Sequence, residues 1–188
     1  LARERFESFV DQLIFSYGSV EDLGGITAKD CVMRIYRDTR FSKDKSPYKT
    51  NMGATIAPGG KKSTRLGYHL HLQPGNQSLI AGGLYMPSPE QLAKFRKAID
   101  QDAAPFQAIL EDNEFKKYFG SVEGEKVKTA PQGYSGAHPE IELLRFKQVV
   151  AVHHESDEAV LSSTFAEHTI KVFKAMKPFL DYLSMILK

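Results

Sequence analysis

The chain has 188 residues, of which 41% are hydrophobic and 26% are charged, and its formal net charge is +2. This composition is typical of a soluble globular protein, and so small a charge is by itself no argument for a nucleic-acid partner. No apolar run reaches the roughly 18 residues that a membrane-spanning helix needs, so we predict no membrane partner. The single cysteine, Cys31, excludes an internal disulfide and favours a cytoplasmic protein.

The length is that of one domain, and we predict a single domain over residues 1–188. The chain begins without a methionine and follows a helical pattern from its start. We therefore expect a native N-terminal segment ahead of Leu1. The sequence gives no indication of the oligomeric state.

The first half of the chain predicts one helix and then a run of strands. Apolar residues recur at helical spacing from Phe6 to Tyr17, and Gly18 ends this helix. After a loop, the alternating pattern that starts at Cys31 predicts a strand at 31–36. Further strand-like segments follow at 49–57, 65–72 and 78–86. Their short, turn-rich connections favour antiparallel pairing.

The second half is mostly helical. Gly82-Gly83, in the last of those strands, predicts a bulge or a close approach of another group to the backbone. Ser88 begins a helix with a capping box, and a final helix is predicted over 158–187, which Pro178 should kink or break. The other predicted elements are a helix from Pro105, helices at 112–119 and 140–145, and a strand at 147–154.

This order of elements predicts an α+β fold. We expect a mainly antiparallel β-meander of about five strands, packed with N-terminal, central and long C-terminal helices. No internal repeat or low-complexity segment is visible.

The most unusual stretch of the sequence is residues 34–49. It holds six basic and two acidic residues, a net charge of +4, so the rest of the chain sums to −2. The basic residues are Arg34, Arg37, Arg40, Lys43, Lys45 and Lys49. Guanidinium groups offer paired donors that match phosphate or carboxylate, so the stretch predicts a site for a small anionic ligand, with a phosphate-bearing compound as the favoured class.

Individual roles follow from the residue types. We expect Arg37 and Arg40 to clamp the anion, Asp38 to orient an arginine, and Lys45 and Tyr48 to make secondary contacts. Further candidates are Arg34 and His71, while Lys49 adds positive charge. The alternative is structural, because the same arginines can bind Asp38, Asp44 and backbone carbonyls and thereby fix a complex turn.

His69 and His71 lie two residues apart on a predicted strand, so both rings should lie on one face. That spacing suits two ligands of one metal ion, with a third from His153, His154, His138 or a carboxylate. No third ligand stands at a diagnostic spacing, so we predict neither a metal nor a cofactor. Cys31 is interpreted as a buried structural thiol.

The basic stretch resembles the signature of a bacterial and fungal family known as Domain of Unknown Function 2461. The matching string is Arg34-x-x-Arg37-Asp38-x-Arg40-Phe41, followed by Asp44-Lys45-x-x-Tyr48. Segments 67–71, 82–87 and 131–139 are also similar to the family. The resemblance implies a soluble α+β protein and no established activity.

Whether the chain is an enzyme is not predicted by its sequence; Tyr48 or His71 would be the candidate acid or base. Two other functions stay open. A nucleic-acid binder would use the 34–49 basic residues together with Lys61, Lys62 and Arg65 as a continuous strip. A non-enzymatic interaction module would present the glycine-containing strand at 78–86 to a protein partner.

Overall fold

The computed structural model describes residues 2–36, 40 and 45–188. Within these residues the helices are α1 (Ala2–Tyr17), α2 (Ala28–Cys31), α3 (Pro89–Gln101), α4 (Ala104–Glu111), α5 (Asn113–Phe119), α6 (Ile141–Leu144), α7 (Asp157–Leu161) and α8 (Phe165–Ile186). The strands are β1 (Met52–Ile56), β2 (Tyr68–Leu72), β3 (Ser78–Leu84) and β4 (Val149–Glu155). Every helix among the described residues is too short or too polar to span a membrane.

The four described strands form one antiparallel sheet in the order β1-β2-β3-β4. The register of the first pair sets Met52 opposite Leu72 and Ile56 opposite Tyr68. Strands that follow one another along the chain are neighbours in the sheet, as a meander requires. The predicted α+β class and antiparallel sheet are therefore confirmed.

The predicted strand at 31–36 is wrong, and the described residues contain four strands instead of about five. Cys31 is the last residue of α2, a short helix that lies in the predicted loop at 18–30. Thr27 and Asp30 form a capping box at the start of this helix. The extended chain that follows makes isolated bridges at Val32 and Tyr36 rather than a continuous ladder.

The last predicted helix is divided in two. Helix α7 ends at Leu161, and α8 begins at Phe165 after a short turn in which the Ser162 hydroxyl accepts a bond from the Thr164 amide. Helix α8 continues through Pro178 and does not break there. The predicted capping box at Ser88 is present: its hydroxyl accepts from the amide of Gln91 at the start of α3.

The chain divides into two compact units. One comprises residues 1–80 and 153–173, and in it α1 packs against α2 and β1. Three aromatic rings meet in its core: Tyr68 stacks on Phe173 with centroids 4.3 Å apart, and Tyr17 meets both rings edge-on. Helix α1 buries the stripe that its spacing predicts, namely Phe6, Val10, Leu13 and Tyr17.

The other unit comprises residues 81–152 and 174–188. Its core contains the aromatic cluster of Phe95, Phe106, Phe115, Phe179 and Tyr182. At Gly83 a β-carbon would lie 2.3 Å from the Val149 carbonyl oxygen. The close approach predicted from the glycine pair is therefore confirmed, whereas the prediction of a single domain stays a prediction.

Candidate functional site

A gap opens in the pairing between the extended segment 32–36 and the segment 48–54. Val32 pairs with Ala54 at one end, and Tyr36 pairs with Tyr48 at the other. Between these bridges the first segment advances four residues while the second advances six. Two antiparallel segments of unequal length cannot keep a regular ladder, so the surplus chain must bow away from its partner.

Two backbone hydrogen bonds hold the segments together on either side of the gap. The Met33 amide donates to the Gly53 carbonyl at 2.8 Å, and the Lys49 amide donates to the Ile35 carbonyl at 2.8 Å. The mismatch in length thus explains why the predicted strand at 31–36 does not form. It also explains why an opening lies between the two hydrogen-bonded ends of the segments.

A pocket of about 490 Å³ lies at this opening. Its size falls within the range of roughly 300–1,000 Å³ that is usual for small-molecule sites. Both segments line it, together with side chains of α1 and β2. The lining residues are Arg3, Phe6, 32–35, 49–53, His69 and His71.

Positive charge dominates the polar lining of this pocket. Arg34 and Lys49 come from the two facing segments, and Arg3 comes from α1. Arg3 donates to the Glu7 carboxylate at 2.8 Å, which balances part of its charge. None of the described residues that line the pocket is acidic. Since charges of one sign beside apolar walls concentrate the electrostatic field, the opening should favour an anion.

The two histidines of β2 both line the pocket, as the alternation of the strand predicts, with ring centroids 6.5 Å apart. Burial lowers the pKa of His69 below its ordinary value of 6.5, and the charge of His71 acts in the same direction. His69 Nδ1 lies 3.3 Å from Thr55 Oγ1, and His71 Nε2 donates to Gln73 Oε1 at 3.1 Å. His69 is therefore a neutral polar group at neutral pH.

Two of the seven predicted site residues, Arg34 and His71, are brought together in the pocket. Arg40, Lys45 and Tyr48 are exposed and are not among the residues that line it. Arg37 and Asp38 lie outside the described residues.

The sequence prediction omits three polar residues of the pocket, Arg3, Thr50 and Asn51. Arg3 lies some thirty positions before the basic stretch, and only the packing of α1 against β1 brings its side chain there. Asn51 donates from Nδ2 to Gln73 Oε1 at 3.3 Å, so the same amide oxygen orients Asn51 and His71. A signal for Asn51 is its position directly after Lys49 and Thr50 and immediately before β1, the strand that pairs with the histidine strand.

The proposed partnership of His69 and His71 with a third metal ligand is not found among the described residues. In this part of the chain, the histidine and carboxylate groups close enough to share an ion are His153, Glu155 and His168. The pair on β2 therefore belongs to the basic pocket, and the three-residue cluster is a separate feature.

Cys31 is fully buried, as the sequence predicts for a structural thiol. Burial raises the pKa of its thiol to about 11. A thiol with so high a pKa carries almost no thiolate at neutral pH, so Cys31 is not suited to nucleophilic chemistry.

The described fold is that of an α+β protein with an antiparallel sheet and a long C-terminal helix. The chain belongs to the family described as "Conserved hypothetical protein (DUF2461)", which it matches over residues 1–182. This match confirms the family inferred from the sequence. No curated protein and no solved structure matches the chain.

Proposed function

We propose that this protein binds a small anionic ligand, of the phosphate-bearing class, in the basic pocket between segments 32–35 and 49–53. The observation that carries the proposal is that Arg34 and Lys49, from the two facing segments, line one opening whose described lining includes no acidic residue. An enzymatic step is not part of the proposal.

The chemistry of the lining fits an anion with an organic part. The guanidinium of Arg34 offers parallel donors to two phosphate oxygens, and the ammonium of Lys49 supplies a compact charge. Apolar side chains complete the walls and can contact a sugar, a base or an alkyl chain. They are Phe6, Val32, Met33, Ile35 and Met52.

Because His69 is neutral, the arginine and lysine side chains supply the electrostatic attraction for the anion. An uncharged imidazole contributes a hydrogen bond rather than attraction at long range. His71 is held by Gln73 and faces the same space, so it can contact the ligand as well. Arg37, Arg40, Lys45 and Tyr48 remain proposed contacts, with Asp38 as the group that orients an arginine.

Thermal unfolding in the presence of a panel of anions tests this proposal. The panel contains phosphate, sulfate, pyrophosphate, nucleoside monophosphates, sugar phosphates and short oligonucleotides. A ligand present at about 100 times its dissociation constant adds roughly 2.7 kcal/mol to the free energy of unfolding, which raises the melting temperature by several degrees. We expect a hit among the phosphate-bearing compounds.

Pocket variants then test whether the ligand found in this panel binds in the pocket. Arg34→Ala and Lys49→Ala should each abolish the shift, and neither removes a backbone hydrogen bond between the segments. Arg65→Ala is the matched control, because Arg65 is exposed and does not line the pocket. A panel without any shift, or a shift that survives both pocket variants, would contradict the proposal.

Salt dependence separates a small ligand from a nucleic acid. An oligonucleotide that contacts a strip of basic residues loses affinity steeply with salt, with a slope of about −0.7 to −0.9 per phosphate contacted. A single phosphate group in this pocket should give a slope near one or two. A steep slope that falls in Lys61→Ala or Lys62→Ala would favour the nucleic-acid function instead.

A further inference from the structure

We propose that His153, Glu155 and His168 form a binding site for a divalent transition-metal ion, for which zinc is the simplest occupant. One donor atom from each of the three residues lies within 4.8 Å of the other two. This cluster takes no part in the basic pocket, so the inference stands independently of the proposed anion binding.

Local structure brings two of these groups together. His153 and Glu155 are two residues apart on β4, and they continue the face of the strand that begins with Val149 and Ala151. Side chains at such positions point to the same side of a strand. This spacing of two residues is visible in the sequence.

The third group comes from the helix that follows. His168 lies in the first turn of α8, thirteen positions beyond Glu155. The intervening chain turns back through α7, whose N-terminus is capped by the Ser156 hydroxyl, which accepts from the Ala159 amide. Asp157 fixes this return, because its carboxylate accepts from the amides of Gly75 and Asn76 at 2.8 and 3.0 Å.

The donor separations suit one ion. His168 Nε2 lies 2.8 Å and His153 Nε2 lies 3.5 Å from the same oxygen, Glu155 Oε1. In a tetrahedral zinc site with bonds of about 2.0–2.2 Å, neighbouring donors are about 3.4 Å apart. These two separations bracket that value, and all donor atoms lie within 4.8 Å of one another, so side-chain rotations are needed to place all three around one ion.

Burial supplies a second reason for a cation here. The Glu155 side chain is only 3% exposed, whereas those of His153 and His168 are 20% and 34% exposed. A buried carboxylate is costly unless a positive partner compensates it. Among the described residues, its ion-pair partners are these two histidines, and no lysine or arginine pairs with it. A metal ion supplies that charge, and the partly exposed imidazoles give it a route from solvent.

The donor set selects the class of metal. Two imidazoles and one carboxylate are the ligands of several catalytic zinc sites, and the same set suits ferrous iron. Calcium and magnesium prefer oxygen donors only, so neither fits two nitrogen ligands. Three protein ligands would leave the fourth position of a tetrahedral zinc ion open to water or another exchangeable ligand, as in catalytic zinc sites.

A purely structural cluster is the competing explanation. In that case each imidazole donates its Nε2–H to the carboxylate, and no metal replaces those protons. The two explanations differ in one measurable property, which is stoichiometric binding of zinc by the folded, metal-stripped chain.

Isothermal titration of the metal-stripped chain with Zn²⁺ tests the site, with Co²⁺ absorption as a spectroscopic probe of tetrahedral coordination. We expect one equivalent to bind. His153→Ala and His168→Ala should each weaken binding by more than about 100-fold, because the loss of a direct ligand costs more than the 10- to 100-fold loss typical of an outer contact. His154→Ala is the matched control, since that histidine is exposed on the same strand.

Zn²⁺ titration of the wild-type chain tests the proposed metal site even if a variant does not fold. Absence of saturable Zn²⁺ binding by the wild-type chain would overturn the proposal, and so would full retention of binding in His168→Ala. An equal loss in the His154→Ala control would overturn it too. Glu155→Gln adds a further check, because it keeps the shape of the side chain and removes the charge; undiminished binding by this variant would exclude the carboxylate as a ligand.

Discussion

Tyr36 and Tyr48 face each other across an isolated antiparallel bridge, with ring centroids 5.5 Å apart. Both rings are more than half exposed. The bridge closes one end of the opening between segments 32–36 and 48–54, and the pairing of Val32 with Ala54 closes the other. The tyrosine pair therefore lies at one end of the pocket, next to the residues that line it.

Removal of one ring should loosen that end of the pocket. Tyr48→Ala is expected to weaken binding of the anion found in the thermal screen and to lower the free energy of unfolding by about 0.5–1 kcal/mol, typical of an exposed cross-strand pair. Titration and urea unfolding measure the two effects. Tyr48→Phe keeps the ring contact, so a comparable loss of affinity in that variant would instead assign the effect to the hydroxyl.

The lowered pKa of His69 predicts a loss of stability in mild acid. Above its unfolded pKa of about 6.5 the histidine is neutral in both states, and the folded protein keeps its full stability. As the pH falls toward the lower folded pKa, the unfolded chain binds more protons, so the free energy of unfolding falls.

Urea unfolding at about pH 7.5 and about pH 5.5 measures this dependence, since the two values bracket the ordinary histidine pKa. His69→Gln should reduce the difference between the two conditions. Identical pH dependence in the His69 variant and the wild type would contradict the assignment.

A chain of hydroxyl hydrogen bonds crosses the core of the unit that contains the pocket. The Tyr68 hydroxyl donates to the Glu21 carboxylate at 2.8 Å, and its oxygen lies 2.7 Å from the Tyr17 hydroxyl. Burial raises the pKa of Tyr68 above its ordinary value, so it stays a donor at all ordinary pH values. Since the Tyr68 hydrogen is committed to Glu21, the Tyr17 hydroxyl is the donor between the two tyrosines, and it also lies 3.4 Å from a second acceptor, the Phe173 carbonyl oxygen.

Tyr68→Phe should therefore cost about 1–3 kcal/mol of unfolding free energy, because it deprives two polar groups of a partner at once. Tyr17→Phe should cost less, since Tyr68 still donates to Glu21. Urea unfolding of both variants provides the comparison. A larger cost for Tyr17→Phe would mean that the bonds of Tyr17 to Tyr68 and to the Phe173 carbonyl contribute more than the bond between Tyr68 and Glu21.

In the unit of residues 81–152 and 174–188, the surroundings of Gly83 predict a steric cost for any side chain at this position. Its backbone has φ +132°, and an added β-carbon would lie 2.3 Å from the Val149 carbonyl oxygen and 3.0 Å from the Phe179 ring. Gly120 has φ +67° and no heavy atom within 4 Å of a β-carbon, so it isolates the cost of backbone strain.

Gly120→Ala should destabilise by about 1–2 kcal/mol through that strain alone. Gly83→Ala should cost about 1–3 kcal/mol more, since its carbonyl neighbour cannot move aside as a flexible side chain would. Thermal or urea unfolding gives both values. Equal costs would mean that β3 and β4 separate easily at this point.

The sequence predicts those structural features that depend on interactions between residues close together in the chain. The apolar stripe of α1 and the capping box at Ser88 depend only on neighbours three or four positions away. The strand predicted at 31–36 failed because an alternating pattern does not show how many residues its partner contributes. The excess of two residues between Tyr48 and Ala54 is a property of the pairing.

The candidate sites show the same limit. Arg34 and His71 were predicted from residue type, but Arg3 joins them only through the packing of α1. His153 and Glu155 share a visible spacing of two, whereas His168 becomes their neighbour only when the chain returns through α7. Contacts that depend on such a return are not encoded in local spacing.

The most direct test of the anion pocket is an NMR titration of the metal-stripped wild-type chain with phosphate, pyrophosphate and a nucleoside monophosphate, followed through the histidine ring C–H resonances. His69 and His71 line the pocket, while His138 and His154 do not, so the resonances of His138 and His154 are internal controls. We predict saturable shifts for His69 and His71 with at least one of these anions and none for the two controls. Pocket histidines that stay unchanged with all three, or that shift no more than the controls, would contradict the account.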